Sequence, residues 1–234
     1  MDPIIEIRNL SFSYPDGKHA LDNIHLQVLP GEKVALVGAN GAGKSTLLYN
    51  LNGILTGCGK IRIDKLDLNK NNLAKIRGMV GVVFQNPDDQ LFSSTVFEDV
   101  AYGPIYQGFK KADVIVKVES ALNSVGMSDY KNRNPYHLSS GEKKRIAIAT
   151  VLSMQPSILA LDEPTAGLDP RARRELIELL SRLPQTIVIA THDLAMAEQL
   201  TTRTVILDQG RIVADGASEK ILSDRELLQD HSLW

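Results

Sequence analysis

The chain has 234 residues, 26 of them basic and 28 acidic, for a formal net charge of −2. That length supports one large α/β domain, or a core with a modest subdomain. The near-neutral balance gives no basic field of the kind that marks duplex-DNA binders, so nucleic acid is not expected as a partner. No run approaches eighteen apolar residues, and the opening residues form no basic, apolar leader. A cytosolic chain is therefore expected, with any membrane association coming through a partner. A single cysteine, Cys58, excludes an internal disulfide.

Residues 4–13 and 24–29 alternate as β-strands do. Between them Tyr14-Pro15-Asp16-Gly17 is a turn whose aromatic either packs on the hairpin or offers a stacking face to a nucleobase. The apolar run at residues 34–37 then leads into Gly38-Ala39-Asn40-Gly41-Ala42-Gly43-Lys44-Ser45, followed by Thr46 and a helical segment. This is the phosphate-binding pattern G-x-x-x-x-G-K-[ST] in its strand–loop–helix setting. Glycines let successive N–H groups converge on an anion, and the helix N-terminus adds partial positive charge. Lys44 supplies a full charge for the outer phosphates and Ser45 a hydroxyl for Mg²⁺.

Gly53 and Gly57 end that helix, Cys58 lies in a predicted turn, and residues 60–64 read as a strand. Residues 67–72 are polar loop, 79–84 a buried strand stopping at Gln85, and 86–92 loop by composition. A mainly helical block is predicted over residues 86–156, punctuated by Gly103-Pro104 and Gly126. Thr95 and Glu98 have capping-box spacing, and residues 111–125 set Ile115, Val118, Leu122 and Val125 on one face. Ser139 is a candidate N-cap for a helix over 143–154. Strands at 157–161 and 185–190 flank a helix over 170–183, and strands near 203–207 and 211–214 precede helical turns from Ser218.

Three apolar strands end in polar groups: the glycine loop after Val37, Asp162-Glu163 after Leu161, and His192 after Ala190. Ligands of open parallel sheets collect outside the carboxyl ends of the strands, so these groups can converge. An acid directly after an apolar strand suits Mg²⁺, which assigns Asp162, and Glu163 can polarise a water for attack on a γ-phosphorus. An isolated Asp-Glu-Pro would be a solvated turn; behind a strand, with a phosphate loop in the same chain, the metal reading is favoured.

On these motifs the chain resembles the ATP-binding subunits of ATP-binding-cassette (ABC) transporters over essentially its whole length. The resemblance implies an α/β fold, in which a P-loop NTPase core with a mainly parallel sheet carries an N-terminal antiparallel β subdomain and an inserted α-helical subdomain. Residues 1–85 and 157–234 would form the core and β subdomain, and residues 86–156 the helical subdomain. It further implies that Tyr14 stacks on adenine, that Gly38 to Thr46 bind ATP, and that Gln85 reaches Mg²⁺ and the attacking water. Asp162 and Ser45 would hold Mg²⁺. Lys44, Gln85, Glu163 and His192 would act in hydrolysis, Glu163 as base and His192 on the γ-phosphate. Leu138-Ser139-Ser140-Gly141-Glu142 matches the family signature, and residues 166–169 its D-loop. By the same resemblance Ser139 and Gly141 cover ATP held by a second ATPase subunit, so a homodimer is implied. Two departures stand out: the family usually has Gly at position 140 and often Gln at 142. Ser140 needs a backbone angle open to non-glycine residues, and Glu142 is expected to point away from phosphate.

Residues 86–92 and 99–104 resemble the energy-coupling-factor importers, and residues 141–154 with the short C-terminus look most like their cobalt and nickel uptake ATPases. That implies a transmembrane coupling protein and a substrate-capture membrane protein as partners, at the cytoplasmic face of the membrane. Leu91, Phe92 and Phe97 either line a groove for a coupling helix or pack inside the helical block. A vitamin-importing relative is the alternative. A soluble, non-transport ABC ATPase is a lesser one, since about ninety residues between Lys44 and Ser139 leave no room for a coiled coil beside a helical block. The five histidines show no ligand spacing, so Mg²⁺ is the only metal expected on the chain.

Overall fold

A computed structural model describes residues 2–233, in two compact units. The first comprises Met1–Val82, Ile158–Glu163 and Pro184–Trp234, the second Val83–Ser157 and Pro164–Leu183. Residues 164–183, which the sequence reading groups with the core, thus cluster with the helical block.

In the first unit, strands β1 (Ile5–Ser13) and β2 (His19–Val28) form an antiparallel hairpin. Its turn closes through Gly17 N–H to Tyr14 O at 2.9 Å, with Gly17 at φ +87°. Strand β4 (Cys58–Ile63) joins β1, and the short β5 (Leu66–Asp67) joins β4, in the order β2-β1-β4-β5. The alternation seen in the sequence is the inward–outward pleat of this sheet: Ile5, Ile7, Leu10, Ile24, Leu26 and Val28 are buried.

The second sheet is built from β3 (Lys33–Val37), β6 (Val80–Val83), β7 (Ile158–Asp162), β8 (Thr186–Thr191), β9 (Arg203–Asp208) and β10 (Arg211–Ala217), in the order β10-β9-β3-β8-β7-β6. Strand β3 runs parallel to β8 and β9, and β7 parallel to β8; β10 returns antiparallel on β9. Strands β7 and β8 are buried at every residue, which is why they read as continuous apolar runs rather than alternating ones. The register sets their ends level: Val37 lies opposite Thr191, and Asp162 opposite Ala190. Helix α1 (Lys44–Leu51) packs on β7 and β8, and α7 (Leu194–Leu200) packs on β3.

Several expectations are corrected. Cys58 begins β4 rather than lying in a turn. Leu66 and Asp67 pair with β4 before the polar loop starts. Met79, assigned to a strand, ends a short helix α2 (Leu73–Met79) that buries Ile76 alone; one apolar anchor in seven residues leaves no periodic stripe to read.

In the second unit, α3 (Val96–Tyr106), α4 (Lys111–Ser124), α5 (Ser140–Leu152) and α6 (Pro170–Arg182) pack together. Thr95 and Glu98 form a capping box on α3 with both reciprocal bonds present. Gly103-Pro104 does not break α3. A Cβ at Gly103 would lie 2.5 Å from Met154 Cγ, so the glycine is there for close approach rather than as punctuation. The buried face of α4 is Val114, Val118, Ala121 and Leu122, with Val125 just beyond it; Ile115 is exposed, one position off the predicted stripe.

Candidate functional site

The loop between β3 and α1 is shaped by positions that exclude a side chain. Gly41 and Gly43 have φ of +85° and +107°, and a Cβ on Gly43 would sit 2.4 Å from Ala20 O. A Cβ on Gly38 would sit 2.3 Å from Leu207 O. Helix α1 therefore starts at Lys44 with Gly43 as its N-cap and without a side-chain cap, leaving its partly positive end to the loop.

Lys44 is buried, and its Nζ donates to Gly38 O at 2.7 Å and Ala39 O at 3.1 Å. Burial pushes its ammonium below the ordinary lysine range, against the pull of Glu163 and Asp162. An anion at the loop would offset that cost by favouring the charged form. Ser45 Oγ donates to Asp162 Oδ1 at 2.9 Å. Burial pushes the Asp162 carboxyl up, opposed by hydrogen bonds from Ser45 and Tyr49. Two hard oxygen donors in hydrogen-bond contact, one an acid, suit Mg²⁺ rather than a soft transition metal.

Glu163 follows β7 and is only 6% exposed. Its φ of +43° lies in the left-handed region, which costs a non-glycine residue on the order of 1–3 kcal/mol and persists only where the surroundings fix it. They do so at three points. Glu163 N–H donates to Ala190 O at 2.9 Å, Thr191 Oγ1 donates to Oε2 at 3.1 Å, and His192 Nδ1 lies 2.8 Å from Oε1. The His192 side chain itself is 60% exposed, so it presents its other face to solvent. Tyr14 OH bonds Thr46 Oγ1 at 2.9 Å, and its ring meets Phe12 edge-on at 5.0 Å. Both sequence readings of Tyr14 are compatible with that fixed ring.

The first unit thus gathers Tyr14, Gly38 to Thr46, Asp162, Glu163 and His192. Gln85, Ser139 and Gly141 belong to the second. There, Ser139 caps α5 in a reciprocal box: Glu142 N–H donates to Ser139 Oγ at 3.4 Å, and Glu142 Oε2 accepts from Ser139 N–H and Oγ, each at 2.8 Å. Hydrogen bonds from Tyr130 and from Ser139 N–H hold the Glu142 carboxyl below the usual carboxylate range. Ser140 lies in the first turn of α5, so it needs no glycine angle. Gly141 is the tight position, where a Cβ would come 3.0 Å from Ala172 Cβ on α6.

The side chain of Gln85 is exposed, while its carbonyl accepts from Lys144 Nζ at 3.0 Å. Further along, Gln90 Nε2 donates to Ala147 O at 2.8 Å and Thr150 Oγ1 at 2.7 Å, and its Oε1 accepts from Phe84 N–H at 3.2 Å. Lys143 Nζ meets Asp88 Oδ1 at 2.7 Å. The segment after β6 is therefore laced to α5. Of the three apolar residues singled out there, Leu91 is buried, Phe97 half-buried and Phe92 60% exposed. The sequence reading missed Gln90, Thr191, Tyr130 and Tyr49. Gln90 lies in a polar run, Thr191 and Tyr130 carry no motif of their own, and Tyr49 sits one turn beyond the end of the phosphate-loop pattern.

A parallel sheet whose strand ends present a glycine loop with a buried lysine, an acid pair and a histidine defines a P-loop nucleotide-binding ATPase. The chain belongs to the ABC transporter family, whose model matches residues 21–166, and it is an ATP-binding subunit of the energy-coupling-factor type. It is 50% identical to a putative ABC transporter ATP-binding protein of Streptomyces coelicolor, over 98% of this chain and 88% of that one. An energy-coupling factor transporter ATP-binding protein, EcfA, of Methanothermobacter thermautotrophicus is likewise 50% identical, over 98% of this chain and 76% of that one. Among solved structures, cbiO1 of Clostridium perfringens, part of the ABC transporter complex cbiONQ, superimposes with a TM-score of 0.87 at 38% identity, covering 100% of this chain and 96% of that one. A dimeric ATP-binding cassette in a post-hydrolysis state with ADP and phosphate gives 0.82 at 27% identity, over 92% and 98% of the two chains.

Proposed function

We propose that this ATPase works as one of two identical subunits at the cytoplasmic face of a membrane, bound to a transmembrane coupling protein, and that it drives import of cobalt or nickel delivered by a substrate-capture membrane protein. The level ends of β3, β7 and β8 carry the reading, because they bring Lys44, Asp162, Glu163 and His192 to one edge. Tyr14 stacks on adenine, and the Gly38–Thr46 backbone with Lys44 holds the phosphates. Ser45 and Asp162 would hold Mg²⁺, with Gln85 the further ligand the family resemblance implies, and the ion would supply neutralising charge for the phosphates. Glu163 takes a proton from water as the water oxygen bonds to the γ-phosphorus and the bond to the ADP oxygen breaks. His192, held against Glu163, contacts the γ-phosphate. Ser139, Gly141 and the start of α5 cover the nucleotide of the partner copy, so loss of the γ-phosphate removes a contact from each side and loosens the pair.

The cargo reading draws on residues 141–154 and on the likeness to cbiO1. The test is to purify the chain with its membrane companions, reconstitute them in vesicles, and follow labelled cobalt and nickel. ATP-dependent uptake of either ion is expected; uptake of a labelled vitamin instead would move the assignment to the vitamin importers.

A further inference from the structure

Asp162 is held from two sides. Ser45 Oγ donates to Oδ1 at 2.9 Å, and Tyr49 OH donates to Oδ2 at 2.8 Å. Ser45 and Tyr49 are four residues apart on α1, hence one turn apart on the same face. The roles given above to Ser45 and Asp162 leave Tyr49 unused.

The carboxylate sits at the end of a fully buried strand and is itself 2% exposed. A buried carboxylate held at one oxygen alone can still turn about its Cβ–Cγ bond. A donor on each oxygen fixes the plane of the group. The two donors are not equivalent. Ser45 has a short side chain on the loop-proximal turn, and its oxygen is itself a candidate cation ligand. Tyr49 reaches the far oxygen from a rigid ring and is half-buried.

We propose that Tyr49 is a positioning residue: its hydroxyl anchors Oδ2 of Asp162 so that Oδ1 faces the cation accompanying the nucleotide, and it thereby sets the affinity for that cation. This rests on the reading of Asp162 as a Mg²⁺ ligand. Outer partners of metal ligands typically change metal affinity by roughly 10–100-fold when removed, which sets the scale.

The test is Tyr49→Phe, which removes one oxygen and keeps the ring. Bound Mn²⁺ is counted by electron paramagnetic resonance at fixed protein and ATP, and metal-free ATP binding is measured separately in chelator. The half-saturating Mn²⁺ concentration should rise roughly 10-fold, while metal-free ATP affinity stays near wild type and the thermal midpoint falls by no more than one unmatched buried oxygen costs. The Mg²⁺ concentration needed for half-maximal hydrolysis should rise in parallel, with the maximal rate regained at high Mg²⁺. Unchanged Mn²⁺ half-saturation overturns the proposal, as does an equal loss of metal-free ATP binding. Should Tyr49→Phe unfold, a fluorotyrosine at position 49, which keeps ring and hydroxyl and alters only the strength of the bond donated to Asp162, is read by the same two titrations. Asp162→Asn is the control: if it leaves Mn²⁺ binding intact, the metal reading of Asp162 fails and takes this inference with it.

Discussion

Replacing Glu163 by Gln separates chemistry from architecture at this site. The carboxylate meets His192 Nδ1 through Oε1 at 2.8 Å and Thr191 Oγ1 through Oε2 at 3.1 Å. A glutamine of the same shape keeps an oxygen for His192. Its NH₂ can donate to Thr191 Oγ1, which already accepts Asp193 N–H at 2.9 Å but has a second lone pair. The Thr191 hydroxyl loses Oε2 as its acceptor, a cost of about 1 kcal/mol, and removal of a buried charge offsets part of it. For a chain of this size 1 kcal/mol moves the thermal midpoint by about 2–4 °C. Loss of a general base, by contrast, costs roughly 10²–10⁴ in rate. The variant should therefore melt within a few degrees of wild type, bind MgATP, and hydrolyse it at least about a hundredfold more slowly. Phosphate release under saturating MgATP, with calorimetric melting and ATP titration on the same preparation, measures all three. Hydrolysis within about threefold of wild type in a folded, ATP-binding variant would refute the role of Glu163, because no other group is asked to supply that factor.

Gly43→Ala should abolish ATP binding and lower the melting point, since its Cβ meets Ala20 O at 2.4 Å on a φ of +107°; Gly41→Ala, with nothing within 4 Å, should cost only the backbone penalty of about 1–2 kcal/mol. Titration calorimetry and thermal melting separate the two. Gln90→Leu removes the side-chain acceptor of Phe84 N–H and one of two side-chain donors to Ala147 O, which keeps Thr150 Oγ1 at 2.8 Å, and should destabilise by about 1–3 kcal/mol in urea unfolding, while the phosphate loop keeps its ATP affinity. Acid should also destabilise the fold with a definite sign. Glu142, Asp169, Glu175 and Glu6 are all held below their ordinary range, chiefly by hydrogen bonds from Tyr130, Ala172 N–H, Arg171 and Arg8 respectively. Their stabilisation is full above the unfolded carboxylate range, about 4, and is lost as pH falls through their lower folded values. Asp162, pushed up by burial, works the other way and gains stability as it protonates. Urea midpoints from pH 7 down to about 3 should hold steady and then drop below about 4.5; a midpoint that rises on acidification to the end of that range would contradict the assignments.

What was legible in the sequence divides along a physical line. Strands β3, β7 and β8 could be read because they are buried at nearly every residue, so their composition reports their environment and their last residues mark the sheet edge. The phosphate loop could be read because three glycines are required there, two by φ and two by close approach. The capping box at Thr95 was legible for a similar reason, since its reciprocal bonds act over a fixed spacing of three residues; Ser139 was legible as an N-cap, but the return bond from Glu142 was not read. Helix α2 was not legible, because Ile76 is its one buried residue. The reach of α3 was missed because Gly103 answers to Met154, a neighbour about fifty residues away that local pattern cannot see. The contacts of Tyr49, Thr191 and Gln90 fall in the same class. Each is an ordinary residue type whose role comes from its partner: Asp162 lies 113 positions from Tyr49, Glu163 28 from Thr191, and Ala147 57 from Gln90. Motifs therefore disclose the groups that touch nucleotide, since phosphate geometry restricts the residue type. The residues that aim those groups are restricted only by reach, and many side chains reach. It follows that Tyr49→Phe and Gln90→Leu, which alter no motif, are the sharper tests of this architecture, and Lys44→Ala, which any phosphate-loop protein would fail, is the blunter one.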